Sequence, residues 1–140
     1  MGKLWGMLQK GETIQTPDGR EVRPDQVMGT PRMGRKFSFV TDSLALPEIS
    51  THVIGSDLFI CEGMFSQELA EDAHSKKHMT AVEAAKIAAA SSGVKQLALI
   101  HYSPRYTEYE LKQILLEARA VFPDTVLTHD RMVFPIEFID

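Results

Sequence analysis

From residue 36 onward this chain alternates β-type runs with well-marked helices, and that alternation limits the possible folds more than any other feature. "KFSFVTD", "DLFICE" (57 to 62), "KQLALIH" (95 to 101) and "TVLTHD" (125 to 130) read as strands. "MVFPIEF" reads as a final strand that Pro135 pushes towards an edge. "TAVEAAKIAAASSG" opens with Thr80 and Glu83 in capping-box spacing, keeps Ala81, Ala84, Ala85 and Ala88 on one narrow face, and stops at Gly93 as a left-handed cap. "TEYELKQILLEARAVF" repeats the box with Thr107 and Glu110 and sets Leu111, Ile114, Leu115 and Ala118 on one stripe. A further helix is expected over roughly Ser66 to Ala73. Strands and helices joined by short connections predict a layered α/β fold with functional residues at the strand ends.

Residues 1–35 are polar and rich in turns. There "TIQTPDGREV" sets Pro17-Asp18-Gly19 between two short β-type runs, a hairpin signal because proline presets one turn angle and glycine accepts a positive one. A chain of 140 residues, 44% hydrophobic, is expected to form a single domain over 1–140. No window approaches the roughly 18 uninterrupted apolar residues of a membrane helix, and "MGKLWGMLQKGE" lacks a signal-peptide core. The expectation is therefore no membrane partner and a cytoplasmic location. Cys61 is the single cysteine, so no internal disulfide forms, and its setting in "DLFICEGMF" marks it as a buried small hydrophobe. The net charge of −4 argues against an extended nucleic-acid footprint but leaves room for local basic clusters at "RMGRK" (32 to 36) and "SKK" (75 to 77).

Ionisable groups stand at successive strand ends. Asp42 ends "FSFVTD", Glu62 follows "DLFIC", His101 ends "LALIH", and Asp130 follows "TVLTH". Singly, an aspartate there most often caps a turn and a histidine is most often hydrogen-bonded structure. Together they mark a candidate site, and "LALIHYSPRY" adds Ser103 and Arg105 just beyond His101.

The succession "GRKFSFVTDS", "SDLFICEGMF", "HMTAVEAAKIAAASSGVKQLALIHYSPRY" and "EARAVFPDTVLTHDRM" resembles the C-terminal half of ribonuclease Z, the metallo-β-lactamase-fold endonuclease that trims the 3′ end of precursor tRNA. The resemblance runs from "KLWGMLQKGE" to the end, and its most specific element is "HMT" paired with "LIHYSPRY". It implies that Asp42 is a bridging metal ligand, in a motif that usually reads Gly-Asp-Thr and here reads Thr41-Asp42-Ser43. It implies that His101 is the last metal histidine, that His78 assists cleavage, and that Arg105, with Ser103 beside it, holds phosphate. Glu62 takes the catalytic glutamate's place in a segment that usually reads His-Glu-Ala-Thr and here reads Cys61-Glu62-Gly63-Met64. The cofactor implied is a pair of zinc ions about 3.5 to 4 Å apart. Aspartate oxygens can face one ion each, and imidazole nitrogen suits zinc.

Such enzymes carry a His-x-His-x-Asp-His motif in their N-terminal half, and nothing like it occurs here. Asp42 and His101 alone cannot hold two ions that each want about four ligands. The implied architecture is half of an αββα sandwich: one mixed sheet with helices on one face. The other face, from Phe37, Phe39, Leu58, Ile60, Leu97 and Leu99 or their alternates, is then bare and needs a partner. That partner is a separate N-terminal half or a second copy. Three functions stay open: half of a precursor-tRNA endonuclease, a non-catalytic association domain, and another hydrolase of the same superfamily.

Overall fold

A computed structural model describes residues 2–30 and 33–138; Arg32 of the first basic cluster lies outside them. The chain divides into two compact units at Met33 and Gly34. In the first, helix α1 (Gly2–Gln9) precedes an antiparallel pair, β1 (Ile14–Gln15) and β2 (Glu21–Val22), and a short helix α2 (Pro24–Val27). The expected hairpin forms. Gly19 takes φ +82° and donates to the Thr16 carbonyl at 2.8 Å, which closes the turn. Helix α1 is an addition to the sequence reading, and it buries Leu8.

The second unit runs β3 (Phe37–Val40), α3 (Pro47–His52), β4 (Leu58–Glu62), α4 (Ala70–Ser75), α5 (Ala81–Ala90), β5 (Leu97–Ile100), α6 (Glu108–Val121) and β6 (Thr125–Leu127). A 3₁₀ turn over Gln67–Leu69 leads into α4, so the expected helix near 66–73 is present in two pieces. Both capping boxes form as read: the Thr80 and Thr107 hydroxyls accept from the Glu83 and Glu110 amides.

The four strands lie in the order β3-β4-β5-β6, every neighbouring pair parallel. The sequence reading expected a mixed sheet with a last strand over "MVFPIEF". That segment forms no strand among the described residues, and the sheet is parallel throughout. Connections between adjacent parallel strands in steady order share one hand, so they set their helices on one face.

On the helix face Phe59, Cys61, Leu97 and Leu99 pack with Ala84, Ala85, Ala88, Ile114 and Ala118. Alanine lets α5 press against the sheet and α6 together, which buries six of its ten residues. Leu97 and Leu99 therefore belong to the covered face, and the expectation that they line the bare one is corrected. The register places Phe37, Phe39, Leu58, Ile60, Ala98 and Ile100 on the opposite face, where Phe37 is 56% and Phe39 55% exposed.

Candidate metal centre

Three adjacent strands end in ionisable side chains at the same carboxyl edge of the sheet. That edge is where ligands bind in parallel α/β sheets. Beyond β3 comes Asp42, β4 ends in Glu62, and beyond β5 comes His101. Asp42 (φ 51°) and His101 (φ 56°) both adopt the left-handed region, which costs a non-glycine residue free energy and gathers at functional sites. Each turn swings its side chain out of the strand's alternation.

The third donor arrives from the turn between α4 and α5. Lys77 takes φ 66°, the His78 amide donates to the Ala73 carbonyl at 2.9 Å, and Thr80 begins the next helix. His74 Nε2 sits 2.6 Å from Glu83 Oε1, and Glu83 also closes the Thr80 cap, so both helix ends hold this turn. The result is a cluster of Asp42, His78 and His101 whose donor atoms all lie within 4.8 Å of one another. His101 Nδ1 is 3.9 Å from Asp42 Oδ1, and the two imidazole rings meet edge to face with centroids 5.3 Å apart.

Glu62 is not a member of that cluster. Its side chain is fully buried: one oxygen accepts the Ser43 amide at 2.6 Å and the other lies 2.9 Å from His78 Nδ1. A carboxylate on one ring nitrogen fixes how the ring presents the other. Exposure then rises outward, from 17% for the His78 side chain to 37% for His101 and 66% for Asp42. The cluster is thus backed by protein on the Glu62 side and open on the Asp42 side. Its donors, two imidazoles and a carboxylate, suit zinc, and the open side has room for further ligands.

Arg105 and Ser103 stand one ring away. The Ser103 hydroxyl accepts from Arg105 Nε at 3.0 Å, and the guanidinium lies 5.3 Å from the Phe65 centroid. Phe65 is buried and its ring is 6.4 Å from that of His78. Lys76 Nζ, from the second basic cluster, sits 5.4 Å from the same Phe65 ring. The sequence reading missed Phe65 as the shelf that gathers Arg105, Lys76 and His78, and missed the Ser43 amide. Asp130 lines a cavity of about 430 Å³ beside His101 but does not join the donor cluster.

The departures from the resembling motifs have local explanations. The Thr41 hydroxyl, where the motif has glycine, donates to Asp42 Oδ2 at 2.8 Å. Gly63 stands where a Cβ would come 3.0 Å from Leu99 Cδ2 and 3.2 Å from Ala81, so glycine lets α5 start close to β4. Cys61 is buried, and burial, with the Glu62 charge adding to it, drives its thiol far above the ordinary range. It is the inert hydrophobe expected.

No family model matches the chain. Curated relatives do: the ribonuclease Z of Treponema denticola is 53% identical over 139 residues, covering 99% of this chain and 45% of the relative. That of Lachnoclostridium phytofermentans is 43% identical over 97% of this chain and 44% of its own length. The chain thus spans less than half the length of the relatives it matches. Among solved structures, the short form of human tRNase Z matches with a TM-score of 0.57 and 22% identity, over 84% of this chain and 37% of that one. The metallo-β-lactamase fold protein YhfI of Bacillus subtilis gives 0.57 and 22%, over 83% of this chain and 44% of that one. With this fold and these relatives, the chain corresponds to the C-terminal half of a ribonuclease Z.

Proposed function

We propose that this chain is one half of a metal-dependent phosphodiesterase that removes the 3′ trailer of precursor tRNA, active when an N-terminal half supplies the remaining metal ligands. The observation that carries the reading is the convergence of Asp42, His78 and His101 at one sheet edge, two of them in left-handed turns. Asp42 and His101 would hold zinc, which supplies Lewis acidity when bound. His78, braced by Glu62, would give a proton to the departing ribose oxygen. Arg105, steadied by Ser103, offers a planar fork to the phosphate as charge develops on it.

The exposed Phe37 and Phe39 also fit the association-domain reading. A domain that only associates has no use for strained turns at Asp42 and His101, which favours chemistry. Among the described residues, no helix is long and apolar enough to cross a membrane. Precursor tRNA as substrate implies a cytoplasmic setting, and the completed protein would pair as a homodimer.

The test mixes this chain with the N-terminal portion of the Treponema denticola relative, the part it does not match, and follows precursor-tRNA cleavage and bound zinc. Cleavage by the mixture and by neither part alone is the expected result. Zinc-loaded mixture without cleavage of any phosphodiester would leave the association reading in its place.

A further inference from the structure

The segment Met132–Glu137 carries a strand's sequence pattern without a strand's pairing. Met132, Phe134 and Ile136 are half-buried while Val133, Pro135 and Glu137 are exposed, the period of two of a half-buried strand. Among the described residues, the backbone groups of Val133 to Glu137 enter no backbone ladder. Met132 and Phe134 join Ile60 and Ile100, two residues of the open sheet face, around the 430 Å³ cavity. At the far side Arg35, just before β3, donates from Nη1 to the Ile136 carbonyl at 2.5 Å and stacks 4.0 Å from the Phe138 ring. The segment therefore crosses the open face loosely, from the β6 edge to the β3 edge.

We infer that Met132–Glu137 is an assembly strand, which pairs through its backbone with an edge strand of the N-terminal half that the relatives carry. The inference rests on the half-site reading above. The occupant follows from the relatives, which carry more than half their length beyond the part matched here. The side of pairing follows from Pro135. In a strand, alternate residues point their N–H and C=O to the same edge, so Pro135 shares an edge with Val133 and Glu137. Proline is tolerated only where no donor is needed. The paired edge is therefore that of Phe134 and Ile136, whose carbonyl Arg35 now occupies in a partner's place.

The test uses the full chain and the N-terminal portion of the Treponema denticola relative, with amide hydrogen exchange read residue by residue. On complex formation Phe134 and Ile136 should slow at least about 100-fold, with Val133 and Glu137 little changed. Ile136→Pro should weaken the complex by about tenfold or more, the loss of one buried ladder bond, whereas Ile136→Val should change it less than about threefold. A complex that forms and takes up zinc while Phe134 and Ile136 exchange as in the free chain, and that binds both variants alike, overturns the assembly strand and leaves the half-site reading standing. Failure of any complex to form overturns both.

Discussion

His78 Nδ1 lies 2.9 Å from a carboxylate oxygen of Glu62, a fully buried side chain whose other oxygen holds the Ser43 amide. This pair joins the β3 turn, the end of β4 and the turn before α5. It ties the ring orientation of His78 to the backbone beside Asp42.

Glu62→Gln keeps the shape and the Ser43 bond but takes the charge from His78. In the completed protein it should lower turnover of precursor tRNA by about 10- to 100-fold, the usual cost of losing a partner that orients a catalytic or ligating histidine. Glu62→Ala should in addition destabilise the isolated chain by about 1–3 kcal/mol, because the half-buried Ser43 amide loses its acceptor. Denaturant melts of the two variants separate the effects.

Arg105→Ala and Asp42→Ala should fail in different ways. Removing Arg105 should cost about 10² to 10³ in turnover with zinc content unchanged, since it supports charge on the phosphate. Removing Asp42 or His101 should take metal and activity together. Elemental analysis beside single-turnover kinetics distinguishes the patterns. Unchanged turnover with a raised half-saturation concentration for Arg105→Ala would make its role uniform binding of the tRNA backbone.

The chain alone should retain less than about one zinc after dialysis, because Asp42 and His101 supply two of the four ligands that a zinc site takes. Two tightly held ions per chain would show the site to be complete without a partner.

Asp57 governs part of the acid stability. Lys95 Nζ at 2.7 Å and the Lys36 amide at 2.7 Å, in that order, hold its carboxyl below the ordinary value. A depressed folded pKa contributes stability that is present above the unfolded value of about 4 and lost as the pH falls through the folded one. Asp57→Asn should therefore be the less stable protein at neutral pH, and the two curves should converge as the pH falls below the ordinary carboxylate range.

Phe59→Ala should cost about 3–5 kcal/mol, as expected for a large aromatic removed from a packed core. Cys61, beside it in β4, should resist alkylation in the folded chain and react once urea unfolds it.

The sequence carried the order of strands and helices plainly where local signals set it, as the Thr80 and Thr107 boxes did. It could not say which face Leu97 and Leu99 occupy, because a central parallel strand is buried on both sides and reads as one apolar run. Helix α3 begins with Pro47 and Glu48, a start signal passed over because the helix has only six residues. "MVFPIEF" has a strand's alternation, but alternation states a preference and pairing needs a neighbour. For the site, Asp42 and His101 stood out as ionisable groups at strand ends, while His78 and Arg105 entered only through the resemblance; the structure brings Asp42, His78 and His101 together. The Phe65 shelf and the Ser43 amide were not legible, since one is a contact between distant segments and the other a backbone group.

The left-handed turns at Asp42 and His101 set folding against function. Glycine adopts that backbone freely, so Asp42→Gly or His101→Gly would relieve strain of order 1–3 kcal/mol each. A selection for heat resistance alone would drift towards glycine at these two positions, while a selection for metal content would hold the aspartate and the histidine in place.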